Sequence, residues 1–408
     1  MSDILNKNLI QKLASLEQEG ILKSKERVIS GRIPAQNSWG PRVTLEGSNK
    51  PYIRANSNSY LDLNFHPQLI QAAEAATLKY GVGPGAVRFI DGTFPPHKAL
   101  EKAIAEFTGY PAARIFNSAY AANLSLILGL HTSDTFWMCD ALNHNSLIRG
   151  LKMAGVVSGQ KVVYSHGDLS DLESKLQQIP KQFKRICILT DGVFSMRGDV
   201  VPLTGIQNLA LRYQDQFEEG ICLVVDDSHG VGALGSKGKG VIESSDSLPY
   251  ALVGTFGKAF GVNGGFVAGS TELIEFLRQK GDTYIYTNPL GAAESAAALE
   301  AVNLLATSDG HQRLENLKNR TLQFREGVQQ MGFETIPGPH PVVSVLTRSS
   351  TSNRELVSYL YEQGILVIGL SYPVVPKGEE CIRFQINAGM TSEDIVYILD
   401  KLSEKKLH

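Results

Sequence analysis

From about residue 95 the chain repeats one pattern, a short unbroken apolar run followed by a break and a segment of helical length. The runs are "ARIF" (113–116), "TFWMC" (135–139), "KVVY" (161–164), "RICILT" (185–190), "ICLVVD" (221–226), "ALVGT" (251–255) and "GGFVAG" (264–269). Helical segments are predicted over 95–107, 120–131, 143–153, 168–179 and 204–216. A strand with one face in water alternates apolar and polar residues, whereas a strand covered on both faces is apolar throughout. Seven such runs interleaved with helices predict an α/β domain, a mostly parallel sheet with helices on both faces. In such a sheet ligands bind at the carboxyl ends of the strands, so those ends are where chemistry is sought.

The pattern changes after "PLGAAESAAALEAVNLLA" (289–306), an Ala-rich helix long enough to link domains. Beyond it come a helix, "PVVSVLT" (341–347), a helix, "GILVIGL" (364–370), "CIRFQI" (381–386) and a last helix, a smaller α+β unit. Residues 4–25 read as an amphipathic helix and the stretch to about residue 50 as a loop. The expected organisation is an N-terminal helix and arm (1–57), a large domain (58–306) and a small C-terminal domain (307–408), in keeping with a length of 408 residues. The 39 basic and 41 acidic residues leave a net charge of −2, which gives no electrostatic reason to expect nucleic acid or an anionic membrane as partner. No run is long enough to span a membrane, and the N-terminus lacks the apolar core of a secretory signal. Cys139, Cys187, Cys222 and Cys381 are widely spaced and form no CxxC pair, which predicts buried free thiols and fits a reducing cytoplasm.

Two familiar motifs fail. "GVGALG" (230–235) matches G-x-G-x-x-G, but polar "DDSH" precedes it and "SKGKG" follows where a dinucleotide site needs a helix. "GK" at 257–258 is not a P-loop, because Leu252 stands where the first glycine belongs and Ala259 where Ser or Thr must bind magnesium. Neither HExxH nor G-x-S-x-G occurs.

What remains is a set of groups at strand ends. "VVDDSHG" (224–230) brings Asp226 and His229, "GTFGK" brings Lys258, and "TDGVFSM" (190–196) and "ALNHNS" (141–146) add further polar groups. Taken alone, Asp226 and Asp227 fit a turn cap. A carboxylate, an imidazole and an amine at one crevice also fit pyridoxal phosphate. That cofactor needs a lysine for its aldehyde, a carboxylate to keep the pyridine nitrogen protonated and a donor for its phenolic oxygen. Its phosphate seeks a helix N-terminus. "NSAYAANLSL" (117–126), with Ser118 as N-cap and Ala119 behind it, offers one, though it equally reads as a plain capped helix. Thr255 adds a hydroxyl three residues before Lys258.

These motifs, with "NSYLDL" (58–63), "VRFIDGT" (87–93), "DALNHNS" (140–146), "TDGVFSMRGD" (190–199), "GTFGKAFG" (254–261) and "YPVVPKGEECIRFQINA" (372–388), make the chain resemble the α-oxoamine synthases over nearly its whole length. These are fold-type-I pyridoxal-phosphate enzymes that join an amino acid to an acyl-CoA. "VRFIDGT" and "YPVVPKG" look most like the glycine C-acetyltransferase branch (2-amino-3-ketobutyrate CoA ligase), which implies glycine and acetyl-CoA as substrates. The resemblance implies Lys258 as the Schiff-base lysine and general base, Asp226 as partner of the pyridinium, and His229 near the phenolic oxygen. It implies His144 stacked on the ring, Ser195 near the cofactor oxygen, and Ala119 and Tyr120 as the backbone phosphate cradle. Thr287 matches a phosphate contact from the neighbouring subunit, hence a homodimer with a shared site, and Asn58 and Arg383 match the residues that hold the amino acid carboxylate. Read alone, His144 fits a helix cap, Arg383 an outward strand residue and Thr287 an ordinary loop residue.

The chain departs from the family pattern at four places. Asp62 replaces the glycine of N-x-Y-L-G-L, Arg197 the first aspartate of S-M-D-G-D and Met390 the histidine of S-A-x-H-T, and "GTFPPHK" carries Pro95 and Pro96. These point to another amino acid or a longer acyl chain, as in 8-amino-7-oxononanoate synthase or serine palmitoyltransferase. An aminotransferase or C–S lyase would share the lysine, aspartate and fold but needs no thioester. A non-catalytic binding protein has no use for all of Lys258, Asp226, His229, His144 and Arg383.

Overall fold

A computed structural model describes residues 3–19, 21–22, 25–245, 248–372 and 374–405. Its large sheet has seven strands. In spatial order they are Ala112–Phe116, Gly265–Gly269, Ala251–Thr255, Ile221–Asp226, Arg185–Asp191, Thr135–Asp140 and Lys161–Tyr164. Gly265–Gly269 is antiparallel to both its neighbours, and the other six strands run the same way.

The apolar runs have the cause expected of them. In Arg185–Asp191, Ile186, Cys187, Ile188 and Leu189 are all fully enclosed. Ile186 and Ile188 enter the core on one face of the sheet, and Cys187 and Leu189 the core on the other. Ile221–Asp226 divides likewise, Leu223 and Val225 to one side and Cys222 and Val224 to the other. The helices run at Pro95–Thr108, Ala119–Leu130, Asn145–Met153, Leu169–Gln177 and Leu203–Tyr213, close to their predicted spans. All four cysteines are buried and free.

The C-terminal part builds a second core behind a three-stranded antiparallel sheet of Val342–Leu346, Cys381–Gln385 and Ile368–Leu370. "GILVIGL" is not one strand. Ile365–Leu366 runs parallel to Ser48–Arg54, while Ile368–Leu370 pairs with Cys381–Gln385. The predicted loop before residue 50 also holds strands, Ile29–Ile33, Arg42–Leu45 and Ser48–Arg54, in a sheet with Ile365–Leu366. Their sides are half-exposed and their runs short, so they give no unbroken apolar signal. The first helix is Asp3–Gln18, shorter than expected, and none of its residues is buried. Among the described residues no helix is long and apolar enough to cross a membrane.

Candidate active site

Six strands pointing one way bring Phe116, Asp140, Asp191, Asp226 and Thr255 to one edge of the sheet. A cavity of about 170 Å³ opens there. It is larger than the ~150 Å³ cavity known to hold a benzene ring, so one six-membered ring fits. Its walls include Ser118, Ala119, Tyr120, His144, Ser195, Asp226, His229, Thr255 and Lys258, nine of the twelve residues singled out in the sequence. Asn58, Arg383 and Thr287 do not line it.

Lys258 follows Thr255 by three residues, on a turn closed by the Gly261 N–H donating to the Lys258 carbonyl (3.0 Å). Lys258 is half-buried and lines the cavity. Burial lowers its pKa from 10.5 to about 8, against the opposing pull of Asp226 and Asp191. Asp226 is buried and fully engaged: Asn123 Nδ2 donates to Oδ2 (2.6 Å), and Ser228 donates to Oδ1 from its backbone (3.1 Å) and hydroxyl (2.5 Å). Its register partner Asp191 is buried beside it, and burial, reinforced by the Asp226 charge, pushes its pKa well up. The His144 N–H donates to Asp191 (3.3 Å).

His229 is buried, and burial followed by the nearby Lys258 charge pushes its pKa well down, so the ring is neutral. Its Nδ1 lies 2.7 Å from Tyr60 Oη. His144 caps the helix Asn145–Met153, Nδ1 accepting from the Ser146 N–H (3.3 Å), and it also stands at the cavity, so both readings of it hold together. Ser118 caps the helix Ala119–Leu130, its hydroxyl accepting from the Ala121 N–H (3.1 Å). The first N–H groups of that helix, on Ala119 and Tyr120, have no acceptor inside it and lie at the cavity. The cradle is tight, for a Cβ on Gly265 would fall 2.2 Å from the Ala119 nitrogen. Thr255 donates its hydroxyl to the Gly264 carbonyl (2.9 Å) and accepts from the Gly257 N–H (3.1 Å).

Arg383 is not an outward strand residue. It is buried, and Nη1 donates to the Ser195 carbonyl (2.7 Å). Its Nε has no partner, and among the described residues no carboxylate pairs with it. Gln385, two residues on from Arg383 and on the same face of the strand, donates to Asn58 Oδ1. Thr287 is partly exposed and accepts from Asn117 Nδ2 (3.3 Å) of its own chain.

None of the four departures touches the cavity. Asp62 has φ 52°, a conformation that favours the glycine it replaces, and it pairs with Arg32 (2.8 Å). Pro95 and Pro96 open the helix Pro95–Thr108, where proline is favoured, and Met390 sits in the small-domain core. Arg197 pairs with Asp199 (3.0 Å) and Glu379 (3.1 Å). Sequence reasoning missed Asn123, Asp191, Ser228 and Tyr60. Asp191 had a signal, an aspartate ending an apolar run, and Tyr60 had none.

A small cavity, a buried carboxylate, a near-neutral amine and unfilled N–H groups at a helix start together fit pyridoxal phosphate. The Aminotransferase class I and II family profile matches residues 50–402. The chain is 37% identical over 376 residues to an 8-amino-7-oxononanoate synthase of Thermosipho melanesiensis, covering 91% of this chain and 92% of that one. It is 36% identical to the mitochondrial 2-amino-3-ketobutyrate coenzyme A ligase of Bos taurus, over 95% of this chain and 88% of the relative. A serine palmitoyltransferase from S. paucimobilis, solved with a bound PLP–myriocin aldimine, superposes with TM-score 0.86 at 26% identity, over 99% and 98% of the two chains. The chain belongs to the class I and II aminotransferase family, in its α-oxoamine synthase branch.

Proposed function

We propose that the protein joins an amino acid to the acyl group of an acyl-CoA and releases CoA, with pyridoxal phosphate as cofactor. The observation that carries this reading is Lys258, an amine near neutrality facing Asp226 across a ring-sized cavity. When bound, pyridoxal phosphate supplies an aldehyde for the lysine and an electron-accepting ring for the charge left when a proton leaves the α-carbon.

The chain's own groups divide the remaining work. Asp226, its carboxylate fixed by Asn123 and Ser228, would hold a proton on the ring nitrogen of the bound cofactor. The helix N-terminus at Ala119 and Tyr120 binds the phosphate through N–H groups and the helix dipole. Ser118 caps that helix as an acceptor and keeps its own hydroxyl proton for a phosphate oxygen, whereas Thr255, as placed, has donated its proton to the Gly264 carbonyl. His144, Ser195 and His229 line the same cavity, where His144 would pack on the ring of a bound cofactor and Ser195 and His229 would address its oxygen. Arg383, buried without an anionic partner, binds the amino acid carboxylate, helped by Asn58, which is held by Gln385 of the same strand. Lys258 takes the α-proton at Nζ, which its lowered pKa permits near pH 8. Thr287 faces a second copy in a homodimer, with the N-terminal arm, large domain and small domain divided near residues 57 and 306.

For substrates, the relatives shift the reading away from glycine and acetyl-CoA. 8-Amino-7-oxononanoate is a nine-carbon acid with its amine on carbon 8 and ketone on carbon 7. That product is assembled from a methyl-bearing amino acid, which loses its carboxyl group, and a seven-carbon acyl chain ending in a carboxylate. We propose this class, a longer acyl-CoA with an alanine-like amino acid, as the first reading. Glycine with acetyl-CoA is the second, carried by "VRFIDGT", "YPVVPKG" and the bovine relative. Free-thiol release measured across a matrix of amino acids and acyl-CoAs tests both. A preference for acetyl-CoA with glycine overturns the first, and release with no pair overturns the enzyme reading.

A further inference from the structure

His229 and Tyr60 are separated by 169 residues, yet they meet behind the cavity wall. Tyr60 is fully enclosed, and its oxygen lies 2.7 Å from His229 Nδ1. The phenol has one proton. The other acceptor in reach is Asn58 Oδ1, at 3.4 Å and already receiving the Gln385 amide. The shorter contact therefore takes the proton, and a phenol is a stronger donor than a neutral imidazole N–H. A third ring fixes the pair. His340 Nδ1 accepts from the Val342 N–H (3.1 Å), so its proton is on Nε2, which donates to the His229 carbonyl (2.9 Å). The His340 ring stands edge-on to Tyr60 (5.1 Å between centroids, 84°) and to His229 (6.1 Å, 78°). The tyrosine thus addresses the ring of His229, and His340 its backbone.

We propose that Tyr60 is a positioning residue that holds His229 as the Nε2–H tautomer, so that His229 enters the reaction as a fixed hydrogen-bond donor and not as a base. With Nδ1 occupied, Nε2 is the ring atom left for the cavity that His229 lines, and among the described residues it has no partner. A donor there selects an oxygen anion as its ligand. Proton removal then falls to Lys258 alone. The inference rests on the reading of the site given above, but its main observable does not require turnover.

The test is ring-nitrogen NMR of the holoenzyme labelled with 15N-histidine, with His229 assigned by the signal missing in His229→Gln. Long-range couplings are expected to show a proton on Nε2 and a bare Nδ1 in the wild type. Tyr60→Phe, which keeps the ring but removes the donor, is expected to give mixed tautomers. It should lower kcat about tenfold, the scale of one lost buried hydrogen bond, with KM for the amino acid within about twofold. A purely structural role for Tyr60 would leave the tautomer unmoved. A wild-type His229 protonated on Nδ1, or an unchanged tautomer in Tyr60→Phe, overturns the proposal. Should Tyr60→Phe fail to fold, the wild-type spectrum decides by itself. If the protein takes up no pyridoxal phosphate, the functional reading falls, while the tautomer is still read from the same spectrum.

Discussion

The two sides of the site are finished to different degrees. On the large-sheet side, both Asp226 oxygens are engaged, His229 is pinned by Tyr60, and the Thr255 proton is given to a backbone carbonyl, while Ser118 accepts from a backbone N–H. On the small-domain side, Arg383 Nε and Gln385 Oε1 are buried without partners. Leaving such groups unpaired costs roughly 1–3 kcal/mol each, and more when one is charged. Unpaired buried atoms also occur on the large-sheet side, at Asn123 Oδ1 and Asp227 Oδ1, so what sets the small-domain side apart is that its unpaired group belongs to a cation with no anionic partner. The comparison separates a prebuilt cofactor half from a substrate half that is completed by its anion.

The largest break in that comparison is Lys258→Ala. It removes the amine and leaves both halves otherwise intact, so acyl transfer should fall by at least ~10³, near the top of the general-base range. Absorbance of the protein after mixing with pyridoxal phosphate should lose the lysine-linked band. Retained turnover would refute the assignment.

Next in size is pH. Below the Lys258 pKa of about 8 the neutral amine falls about tenfold per unit. Lysine reaction with pyridoxal phosphate in cofactor-free protein should therefore slow by about 50-fold from pH 8 to pH 6, since half the amine is already protonated at its pKa. A rate still climbing at pH 10 would show that burial does not lower this pKa.

The substrate half is broken by Arg383→Ala. Loss of a charge-assisted, bidentate contact predicts KM for the amino acid raised about 10- to 100-fold, with cofactor absorbance unchanged. Arg383→Lys should recover only part, because an ammonium cannot match a carboxylate with two parallel bonds. Equal damage to cofactor binding would erase the distinction between the halves.

The prebuilt half was also the more legible in the sequence. Strands covered on both faces must be apolar throughout, and polar residues ending them, such as Asp226, are conspicuous for that reason. Tyr60 was not legible, because nothing local ties it to a histidine 169 residues away. Asn123 lies within a mostly apolar helix and reads as an interruption of core, although it fixes Asp226. "GILVIGL" hid two strands because one apolar run can serve two sheets in succession. Asp62 and Met390 lie outside the ring-sized cavity, one paired with Arg32 and the other in the small-domain core, contacts that no local pattern announced.

Arg197 gives the smallest effect and the sharpest view of how the halves are joined. It lies on the turn that carries Ser195, whose carbonyl holds Arg383, and it ties that turn to Glu379 of the small domain (3.1 Å). Behind it, His166 is clasped between Asp140 (2.9 Å) and Asp199 (3.0 Å); burial lowers its pKa, but the hydrogen bonds the ring donates to both carboxylates outweigh this and raise it to about 9. Arg197→Asp restores the family residue but adds a carboxylate beside Asp199 and Glu379. Because these groups are partly exposed, the cost in stability should stay within about 1 kcal/mol. The loosened turn should raise KM for the amino acid about threefold and leave cofactor binding untouched. His166 sets the pH at which the clasp fails. A histidine whose pKa is higher folded than unfolded stabilises fully below its unfolded value, near 6.5, and that contribution is gone once pH passes about 9. Urea unfolding of wild type and His166→Gln should therefore differ most near pH 6 and converge toward pH 9. A gap that stays constant across that range would mean His166 packs there without carrying charge, and that the link between the halves is steric.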